Sequence, residues 1–600
     1  MSLSLSTGTF VKNFHSSMES KSATGRKWRL KECDDRLALM LSQRLNLPEI
    51  VGRLLSLRGV NGDSAEKFLN PTLRDWLPDP YSLKDMEKAV SRLVRAINDS
   101  ESIAIFGDYD VDGATSSALL ARFFNLIGVT TTIYIPDRIK EGYGPNERAL
   151  SQLRSKGIDV VITVDCGITA FKPIASGAMS GLDIIIVDHH VAEPKLPDAF
   201  AVINPNRLDD KSDLGRLAAV GVTFLLAVAI NRSLRESGFY CDENKFEPNL
   251  LDLLDLVALG TVCDLVKLDG LNRAYVNQGL KIMARRTNTG MTALFDEAKI
   301  NEKPSEYHAG YVLGPRVNAG GRVGESSLGA RLLSTNDIDE ARYIANQLDT
   351  FNNERKKIES TVFNEAISIV ESGEKDKPIL IIEGDGWHSG VIGIVASRIK
   401  DKYAKPVFVI SFDGDKGKGS GRSISNLDLG SIVISARQKG IIDEGGGHKM
   451  AAGLSVNREK LSTLRDYFYE QVNLVINKID TSPVLDIDSI ITLGGANTLL
   501  VNQIQKIAPF GSGNPEPRFM FPNVKVVKAD IVGDNHLRCI LSDENKNKLN
   551  AIAFRVIGEE LGDILLLGKS QSLHVAGKIR INQWQGREDV QLLIDDVRVS

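Results

Sequence analysis

The feature that most constrains the fold is a series of short apolar runs that alternate with segments of helical periodicity. The runs "SIAIF" (102–106), "TTIYI" (131–135), "VVITV" (160–164) and "DIIIV" (183–187) are rich in β-branched residues. Segments such as "TSSALLARFFNLIG" and "ERALSQLRSKG" lie between several of them and carry apolar residues at helical spacing. Strands that alternate with helices predict a parallel sheet with helices packed against it.

The remaining sequence changes texture along the chain, and a chain of 600 residues is too long for a single core. We therefore predict an α/β multidomain protein. Residues 1–45 form a variable polar leader, and 46–335 form the first α/β domain with a helical N-terminal part. Residues 336–376 have almost no helix breaker and predict one long connecting helix. A second α/β domain follows at 377–482, and short β-rich runs at 483–600 predict a small barrel of the OB-fold type.

An acidic turn, "FGDYDVDGAT" (106–115), stands between the first predicted strand and a helix. Open α/β sheets bind ligands at this position. Side chains two residues apart face the same side of an extended segment, so Asp108, Asp110 and Asp112 can converge. A calcium loop of the EF-hand type that begins at Asp108 would need a carboxylate at its twelfth position, where the chain has Leu119. For this stretch taken alone, an acidic surface turn without a ligand remains the simpler alternative.

Further carboxylates and imidazoles follow neighbouring runs. Asp165 comes directly after the run at 160–164, Asp188, His189 and His190 come after the run at 183–187, and "LVALGTVCD" supplies Asp264. Five or six carboxylates packed together could not all stay ionised without cations. Oxygen-rich ligands with one or two imidazoles and no thiolate cluster favour two Mn²⁺ or Mg²⁺ ions over zinc.

Several motifs together resemble known families. In this order and spacing, "GDYDVDG", "VDCG", "VDHH" and "TVCD" resemble the DHH phosphoesterase superfamily, and "GRSI" and "EGGGHKMAAG" are similar to the DHHA1 domain that often follows. The motifs "IPDRIKEGYGPN", "GPRVNAGGR", "GWHSGVIGIVASR" and "APFGSGNPEPRF" narrow the resemblance to the RecJ family of bacterial exonucleases. It extends over about residues 46 to 600. It implies a DHH parallel-sheet domain, a connecting helix, a DHHA1 α/β domain and a C-terminal OB-like β-barrel.

The resemblance also implies roles for the residues of the acidic cluster. Six residues match the family's metal ligands: Asp108 and Asp110 for one ion, Asp112, His189 and Asp264 for the other, and Asp165 as a bridge. Asp188 and His190 would be catalytic residues outside the ligand set. Asp188 would orient an imidazole, and His190 would face the scissile phosphate.

A second set of residues resembles the family's substrate-binding positions. Arg138 is similar to a phosphate-binding arginine of the family, and Ser420 and Arg422 are similar to residues that bind the 5′-phosphate. The glycine-rich stretches around Arg316, Asn318, Arg322 and His448 are expected to contact further phosphates. In the barrel, Trp584 and Phe554 are candidates for base stacking, with Phe519 and Phe521 also considered. Aromatic residues of a small barrel are more often core residues, and that alternative stays open.

The function implied is a 5′→3′ exonuclease specific for single-stranded DNA, which releases 5′-mononucleotides by two-metal hydrolysis in recombination and repair. Single-strand-binding protein and a RecQ-type helicase are the partners that the family implies. Two alternatives remain. A small DHH oligoribonuclease or nucleotide phosphatase would lack the long helix and barrel, and a non-catalytic single-strand-binding scaffold would have lost metal ligands.

Composition sets the cellular expectations. Five scattered cysteines without a C-x-x-C pair indicate reduced thiols and a cytoplasmic location. No apolar run approaches the ~20 residues that a membrane-spanning helix needs. We also expect the protein to be a monomer. A net charge of −4 gives no general attraction to nucleic acid, so a local basic groove or metal ions must hold that partner.

Overall fold

The computed structural model describes residues 22–138, 140–476, 483–567, 571–584 and 587–600. The chain divides into two compact units. The first contains Met1–Pro71, Thr481–Phe510 and Asn514–Ser600, and the second contains Thr72–Asp480 with Gly511–Gly513.

The strands are numbered in chain order: β1 (Lys27–Leu30), β2 (Ile103–Gly107), β3 (Thr131–Tyr134), β4 (Val160–Val164), β5 (Asp183–Val187), β6 (Ala201–Ile203), β7 (Leu380–Asp385), β8 (Val407–Asp413), β9 (Lys416–Arg422), β10 (Glu444–His448), β11 (Ala451–Asn457), β12 (Val484–Ile487), β13 (Ser489–Ile490), β14 (Phe519–Val532), β15 (His536–Ser542), β16 (Lys548–Ala553), β17 (Leu573–Trp584) and β18 (Arg587–Val599).

The α-helices are numbered in the same way: α1 (Asp35–Leu45), α2 (Glu49–Leu57), α3 (Ala65–Leu69), α4 (Leu73–Trp76), α5 (Met86–Asn98), α6 (Val111–Leu126), α7 (Glu147–Ser155), α8 (Phe171–Met179), α9 (Ala219–Glu236), α10 (Leu254–Cys263), α11 (Gly270–Met283), α12 (Thr289–Glu297), α13 (Gly314–Val323), α14 (Leu328–Ser334), α15 (Ile338–Ile369), α16 (Ser389–Tyr403), α17 (Leu429–Gln438), α18 (Leu461–Ile476), α19 (Thr498–Gln505) and α20 (Glu560–Leu567). Short 3₁₀ turns lie at Pro80–Ser82, Phe239–Cys241, Leu250–Leu253, Arg458–Lys460 and Leu493–Gly495, and π-helical turns at His308–Leu313 and Val370–Glu374.

The predicted parallel sheet is confirmed. Its strand order is β3-β2-β4-β5-β6, and every neighbouring pair is parallel. All residues of β2 and β4 are buried, as expected for strands covered by helices on both faces. One face packs against a large core that includes α5, α6 and α9, and the other packs against α7 and α8.

The long connecting helix is also confirmed, because α15 spans 32 residues and continues into the π-helical turn at Val370–Glu374. It leads to a second sheet of order β10-β11-β9-β8-β7, in which only β7 and β8 are parallel. Helix α16 crosses from β7 to β8, and α17 and α18 share the core on the other side. This sheet belongs to the same compact unit as the first one.

The C-terminal residues form the predicted barrel. Strands β14, β15, β16, β18 and β17 are neighbours in that order, and β17 pairs with β14 to close the sheet. The N-terminal residues from 22 to 71 belong to this unit as well. Strand β1 pairs with β12 in parallel, and α1 and α2 contribute to the core of the barrel unit. The sequence predicts a leader at residues 1–45 and places 46–71 in the first α/β domain. The described residues 22–71 differ from that prediction, because they belong to the barrel unit.

In the part of the chain that the structure describes, no helix is both long enough and apolar enough to cross a bilayer.

Candidate active site

The acidic cluster lies at the carboxyl ends of the first sheet. Asp108 follows β2, Asp165 follows β4 and Asp188 follows β5. Because β3 and β4 lie on opposite sides of β2, the connections diverge between β2 and β4, which is the crevice where open α/β sheets bind ligands. Asp165 has a positive φ of 60°, an uncommon conformation for a non-glycine residue that often marks a functional site.

The turn after β2 enters helix α6 at once. Asp110 is the N-cap of α6, and its Oδ1 accepts hydrogen bonds from the backbone N–H groups of Asp112 (2.9 Å) and Gly113 (3.1 Å). Asp112 lies in the first turn of the helix. The expectation that an extended segment aligns the three carboxylates was therefore wrong. A capped helix start divides them between two groups.

Asp112 is fixed from a different part of the chain. Its buried carboxylate accepts hydrogen bonds from the N–H groups of Ala219 (2.6 Å) and Val220 (2.9 Å), at the start of α9. Free N–H groups at a helix N-terminus favour negative charge, so α9 orients the carboxylate and favours its ionised form against the opposing effect of burial.

Three overlapping sets of side chains each bring one potential ligand atom per residue within 4.8 Å of the others. Two of them are called here the first group (Asp108, Asp110 and Asp165) and the second group (Asp112, His189 and Asp264), and the third set, which overlaps both, contains Asp165, His189 and His190. Asp264 comes from the C-terminal end of α10. His189 Nε2 lies 3.3 Å from Asp165 Oδ1, which joins the two groups. The first and second groups contain the residues that the sequence resemblance assigned to each ion, and their assignment as ligands stays a prediction.

The protonation of His189 favours a cation at this position. Its Nδ1 donates to the carbonyl oxygen of Leu217 (3.0 Å), so Nε2 carries a lone pair. Burial and the positive charge of His190 lower the pKa of His189 to about 4. Nε2 therefore presents a lone pair to Asp165 Oδ1, so only a proton on Asp165 or a cation can join the two atoms. Within the described residues, these two buried atoms and Asp108 Oδ1 have no hydrogen-bond partner.

The carboxyl groups favour the same conclusion. Burial, reinforced by neighbouring carboxylates, raises the pKa of Asp108 to about 8 and that of Asp264 to about 7. The pKa values of Asp112 and Asp165 are raised well above their usual range for the same reasons. Divalent cations would allow these groups to ionise together. Oxygen and imidazole ligands without a thiolate fit Mn²⁺ and Mg²⁺.

His190 and Asp188 form a separate pair beside the two groups. Asp188 is fully buried, and its Oδ1 accepts a hydrogen bond from His190 Nδ1 (2.7 Å) while Oδ2 accepts one from the N–H of Ile168 (3.1 Å). Burial opposes the charge of both groups, but their mutual interaction raises the pKa of His190 to about 9 and lowers that of Asp188. A protonated, partly exposed imidazole thus stands next to the cluster.

A polar cavity of about 470 Å³ lies in the same compact unit, between the two sheets. Arg138, Arg322, Ser420 and Arg422 line it, together with the N-terminal turn of α16. The guanidinium of Arg138 lies 4.8 Å from the ring centroid of Tyr109, which separates Asp108 from Asp110 in the sequence. The cavity therefore lies near the acidic cluster.

The arginines of this cavity are suited to an anionic ligand. Arg422 donates to Ser397 Oγ (3.1 Å) and Ser420 Oγ (3.2 Å), and Arg322 donates to the carbonyl oxygen of Gly390 (3.0 Å). Burial lowers the pKa of both guanidinium groups, that of Arg322 to about 10, so both stay charged near neutral pH. Among the residues that the structure describes, neither forms an ion pair with a carboxylate. Buried cations without counter-ions favour phosphate binding.

Three of the predicted phosphate-binding residues do not line this cavity. Arg316 is paired with Asp349 (2.8 Å), and it donates to the carbonyl oxygen of Val312 (2.8 Å). Asn318 is half-buried on α13, and His448 is exposed on β10, where its Nδ1 accepts from the N–H of Met450 (3.4 Å).

The aromatic residues considered for base stacking in the barrel also differ in where the structure places them. Phe519 and Phe521 are buried in the core, as the alternative left open for aromatic residues of a small barrel had predicted. Phe554 is 54% exposed and has an edge contact with His536. The side chain of Trp584 lies outside the part of the chain that the structure describes.

The sequence did not single out Gly260 of α10. A Cβ atom at this position would lie 2.4 Å from Thr115 Oγ1 and 3.1 Å from Asp112 Oδ1. Glycine therefore lets α10 approach α6 closely enough for Asp112 and Asp264 to meet. A glycine inside the apolar helical stretch "LVALGTVC" was the available signal.

Comparison with known proteins agrees with this geometry. Family models match residues 102–261 (DHH family, N-terminal domain), 376–474 (DHHA1 domain) and 487–596 (RecJ OB domain). The fold and the cluster thus define a DHH-type protein with a DHHA1 domain.

The single-stranded-DNA-specific exonuclease RecJ of Escherichia coli is 35% identical over 569 residues, which is 92% of this chain and 96% of that protein. The RecJ of Bacillus subtilis is 33% identical over 588 residues, 96% of this chain and 71% of that protein. The crystal structure of Thermus thermophilus RecJ in complex with Mn²⁺ superposes with a TM-score of 0.78 at 25% identity, and the match covers 95% of this chain and 79% of that one. The chain belongs to the RecJ family.

Proposed function

We propose that this protein is a metal-dependent 5′→3′ exonuclease that degrades single-stranded DNA to 5′-mononucleotides. The observation that carries this proposal is that the two groups of potential metal ligands and a cationic cavity lie in one compact unit. The first suits two divalent ions, and the second suits a terminal phosphate. The relatives named as single-stranded-DNA-specific exonucleases support the same activity.

We assign the two groups to two Mn²⁺ or Mg²⁺ ions. Asp108 and Asp110 would hold one ion, Asp112, His189 and Asp264 the other, and Asp165 would be shared. Such ions lower the pKa of bound water and stabilise the charge of a phosphodiester undergoing in-line displacement. The contribution of α9 is to orient the carboxylate of Asp112 and to favour its ionised form, and Leu217 keeps the lone pair of His189 on Nε2.

His190 has a different role in this scheme. Because Asp188 keeps it protonated, its exposed edge can donate a hydrogen bond to a phosphate oxygen next to the cluster. Such a charge-assisted hydrogen bond is stronger where negative charge develops during hydrolysis. Asp188 acts through this imidazole and does not contact substrate.

The cavity gives the reaction its direction. A 5′-terminal phosphate held by Arg138, Ser420 and Arg422 would place the next phosphodiester toward the acidic cluster, and Arg322 would complete the cationic wall. We assign Arg316, Asn318 and His448 to contacts with the strand outside this cavity. In the barrel unit, Phe554 and Trp584 are assigned to base stacking.

The biological setting is proposed from the family. We place the protein in the cytoplasm, as a monomer that acts in DNA recombination and repair with single-strand-binding protein and a RecQ-type helicase. All five cysteines are free, which agrees with a reducing compartment.

The test is digestion of a long single-stranded DNA in Mn²⁺, labelled at the 5′ end in one sample and at the 3′ end in another. We expect immediate release of the 5′ label as a mononucleotide and progressive shortening of the 3′-labelled strand. Degradation of RNAs of a few nucleotides without attack on long DNA would instead establish a small oligoribonuclease. Binding without cleavage would establish a scaffold.

The cavity assignment is tested with Arg422→Ala. The variant removes a charge-assisted contact to the terminal phosphate, so kcat/KM for 5′-phosphorylated DNA should fall by about 10- to 100-fold. The loss on 5′-hydroxyl DNA should be much smaller. Arg437→Ala, which removes an exposed arginine of α17, is the matched control and should change neither value. Equal losses on both kinds of end would contradict the assignment.

A further inference from the structure

Two exposed tyrosines form a stacked pair outside the site described so far. The ring centroids of Tyr307 and Tyr311 lie 5.4 Å apart with an interplanar angle of 25°. The residues are 48% and 74% exposed. The outer face of such a stacked pair is a flat apolar surface on which a further ring can stack.

The backbone beneath the rings is firmly held. The residues from His308 to Leu313 form a π-helical turn, a rare conformation that often occurs at functional sites. His308 Nδ1 accepts a hydrogen bond from the N–H of Ser305 (3.1 Å), and its Nε2 donates to Glu302 (3.0 Å). His308, Ala309 and Leu313 are buried. Buried residues thus hold the turn in place, while the two tyrosine rings are exposed to solvent.

This turn packs against the end of α10 that carries Asp264. The thiol of Cys263 donates to the carbonyl oxygen of Ala309 (3.5 Å), and a Cβ atom on Gly310 would lie 3.2 Å from Val262 Cγ1. Leu265, next to Asp264, is 73% exposed and has a positive φ of 60°. An apolar residue in that conformation is a strained outlier, and it places an exposed apolar side chain next to the ligand Asp264.

The same helical segment also reaches the phosphate cavity. The π-helical turn runs directly into α13, whose Arg322 lines the cavity. At 1.5 Å per residue, the eleven residues from Tyr311 to Arg322 span about 16 Å. A strand whose 5′ end occupies the cavity and whose scissile bond lies at the acidic cluster therefore has this pair within reach of its later nucleotides.

We propose that Tyr307 and Tyr311 form a base-stacking platform for nucleotides of the bound single strand on the 3′ side of the scissile bond. The inference rests on the proposed exonuclease function. Its ligand is the flat face of a nucleobase, and stacking of this kind accepts any base. The platform would hold the strand after each cleavage, so it would govern affinity and processivity without taking part in hydrolysis.

The first test compares wild type and Tyr311→Ala on 5′-phosphorylated oligothymidylate and on a set of strands in which one nucleotide at a time is abasic. Stacking on one base corresponds to about a 5- to 150-fold effect, so Tyr311→Ala should lower kcat/KM on the intact strand within that range. One abasic position should lower the wild type to the level of the variant and leave the variant unchanged. Tyr311→Phe keeps the ring and should behave as wild type.

Tyr343→Ala is the matched control, since Tyr343 is a helical tyrosine on α15 whose exposure (66%) is close to that of Tyr311 (74%). It should cleave every strand as wild type does. A Tyr311→Ala variant with unchanged kcat/KM on all strands, or with a loss that no abasic position reproduces, would overturn the platform and leave the pair as a protein-docking surface.

Failure of the proposed function has a different result. If wild type cleaves none of the strands, anisotropy titrations of the same labelled strands replace the kinetics. The platform then requires that the abasic position and Tyr311→Ala weaken binding by the same factor and are not additive. Equal affinity of both proteins for all strands would overturn it.

Discussion

At the scale of single residues, the decisive feature is a pair of atoms that should repel each other. His189 Nε2 and Asp165 Oδ1 are 3.3 Å apart, and once Asp165 ionises both atoms are acceptors with no proton between them. Two acceptors are held this close in a buried site when a cation belongs between them. The sequence could name both residues, because each directly follows a β-branched run. The tautomer of His189 depends on Leu217, and nothing in the local sequence indicates that contact.

The metal-ligand assignment is tested with Asp110→Asn. The amide oxygen can still cap α6, so the free energy of unfolding should change by less than about 1 kcal/mol. Loss of the charge should lower kcat by at least about 100-fold in Mn²⁺. Asp337→Asn is the control, because Asp337 caps α15 through the same two hydrogen bonds far from the cluster in sequence. An Asp110→Asn variant with normal turnover would remove Asp110 from the ligand set.

At the scale of helices and strands, the local sequence pattern predicts the buried strands but not the contacts between elements that are far apart in the sequence. The runs at 160–164 and 183–187 coincide with β4 and β5, because β-branched residues between helices specify buried parallel strands. Strand β6 has only three residues and was missed. The approach of α6, α9 and α10 around Asp112 was also beyond prediction, since it depends on residues that lie more than a hundred positions apart in sequence.

The role of that helix packing is tested with Gly260→Ala. A methyl group 2.4 Å from Thr115 Oγ1 would push α10 from α6 and displace Asp112 from Asp264. We expect a loss of about 1–3 kcal/mol in stability and about a 10-fold loss of Mn²⁺ affinity, measured by calorimetric titration. Gly221→Ala is the control, because its nearest contact would be an ordinary 3.4 Å to Tyr275. Wild-type Mn²⁺ affinity in a destabilised Gly260→Ala protein would show that the packing does not position the ligands.

At the scale of the whole molecule, the two compact units carry opposite responses to pH. In the metal-free catalytic unit the folded-state pKa values of Asp108 and Asp264 are raised to about 8 and about 7. Their contribution to stability is lost as pH rises toward 8. In the barrel unit, burial and the charge of Arg598 lower the pKa of His574 to about 4. Its contribution is complete above about pH 6.5 and is lost as pH falls toward 4.

Calorimetric unfolding in EDTA should therefore resolve two transitions. The transition of the catalytic unit should move to lower temperature as pH rises from about 6.5 to 8, and Mn²⁺ should raise it and reduce this dependence. The barrel transition should instead move to lower temperature below about pH 6.5. His574→Asn keeps an acceptor for the N–H of Asn523 and should remove that sensitivity. Parallel pH responses of the two transitions would contradict the assignment.

The pairing of β1 with β12 has a consequence for how the protein is made. Lys27 lies opposite Val484, so the N-terminal strand and helices leave the ribosome long before their partners exist. The catalytic unit, almost continuous in sequence, can complete its fold while the apolar faces of α1 and α2 still wait for the barrel. Interrupted synthesis after the catalytic domains would then release a nascent chain with those faces uncovered, which chaperones must protect and proteases would remove.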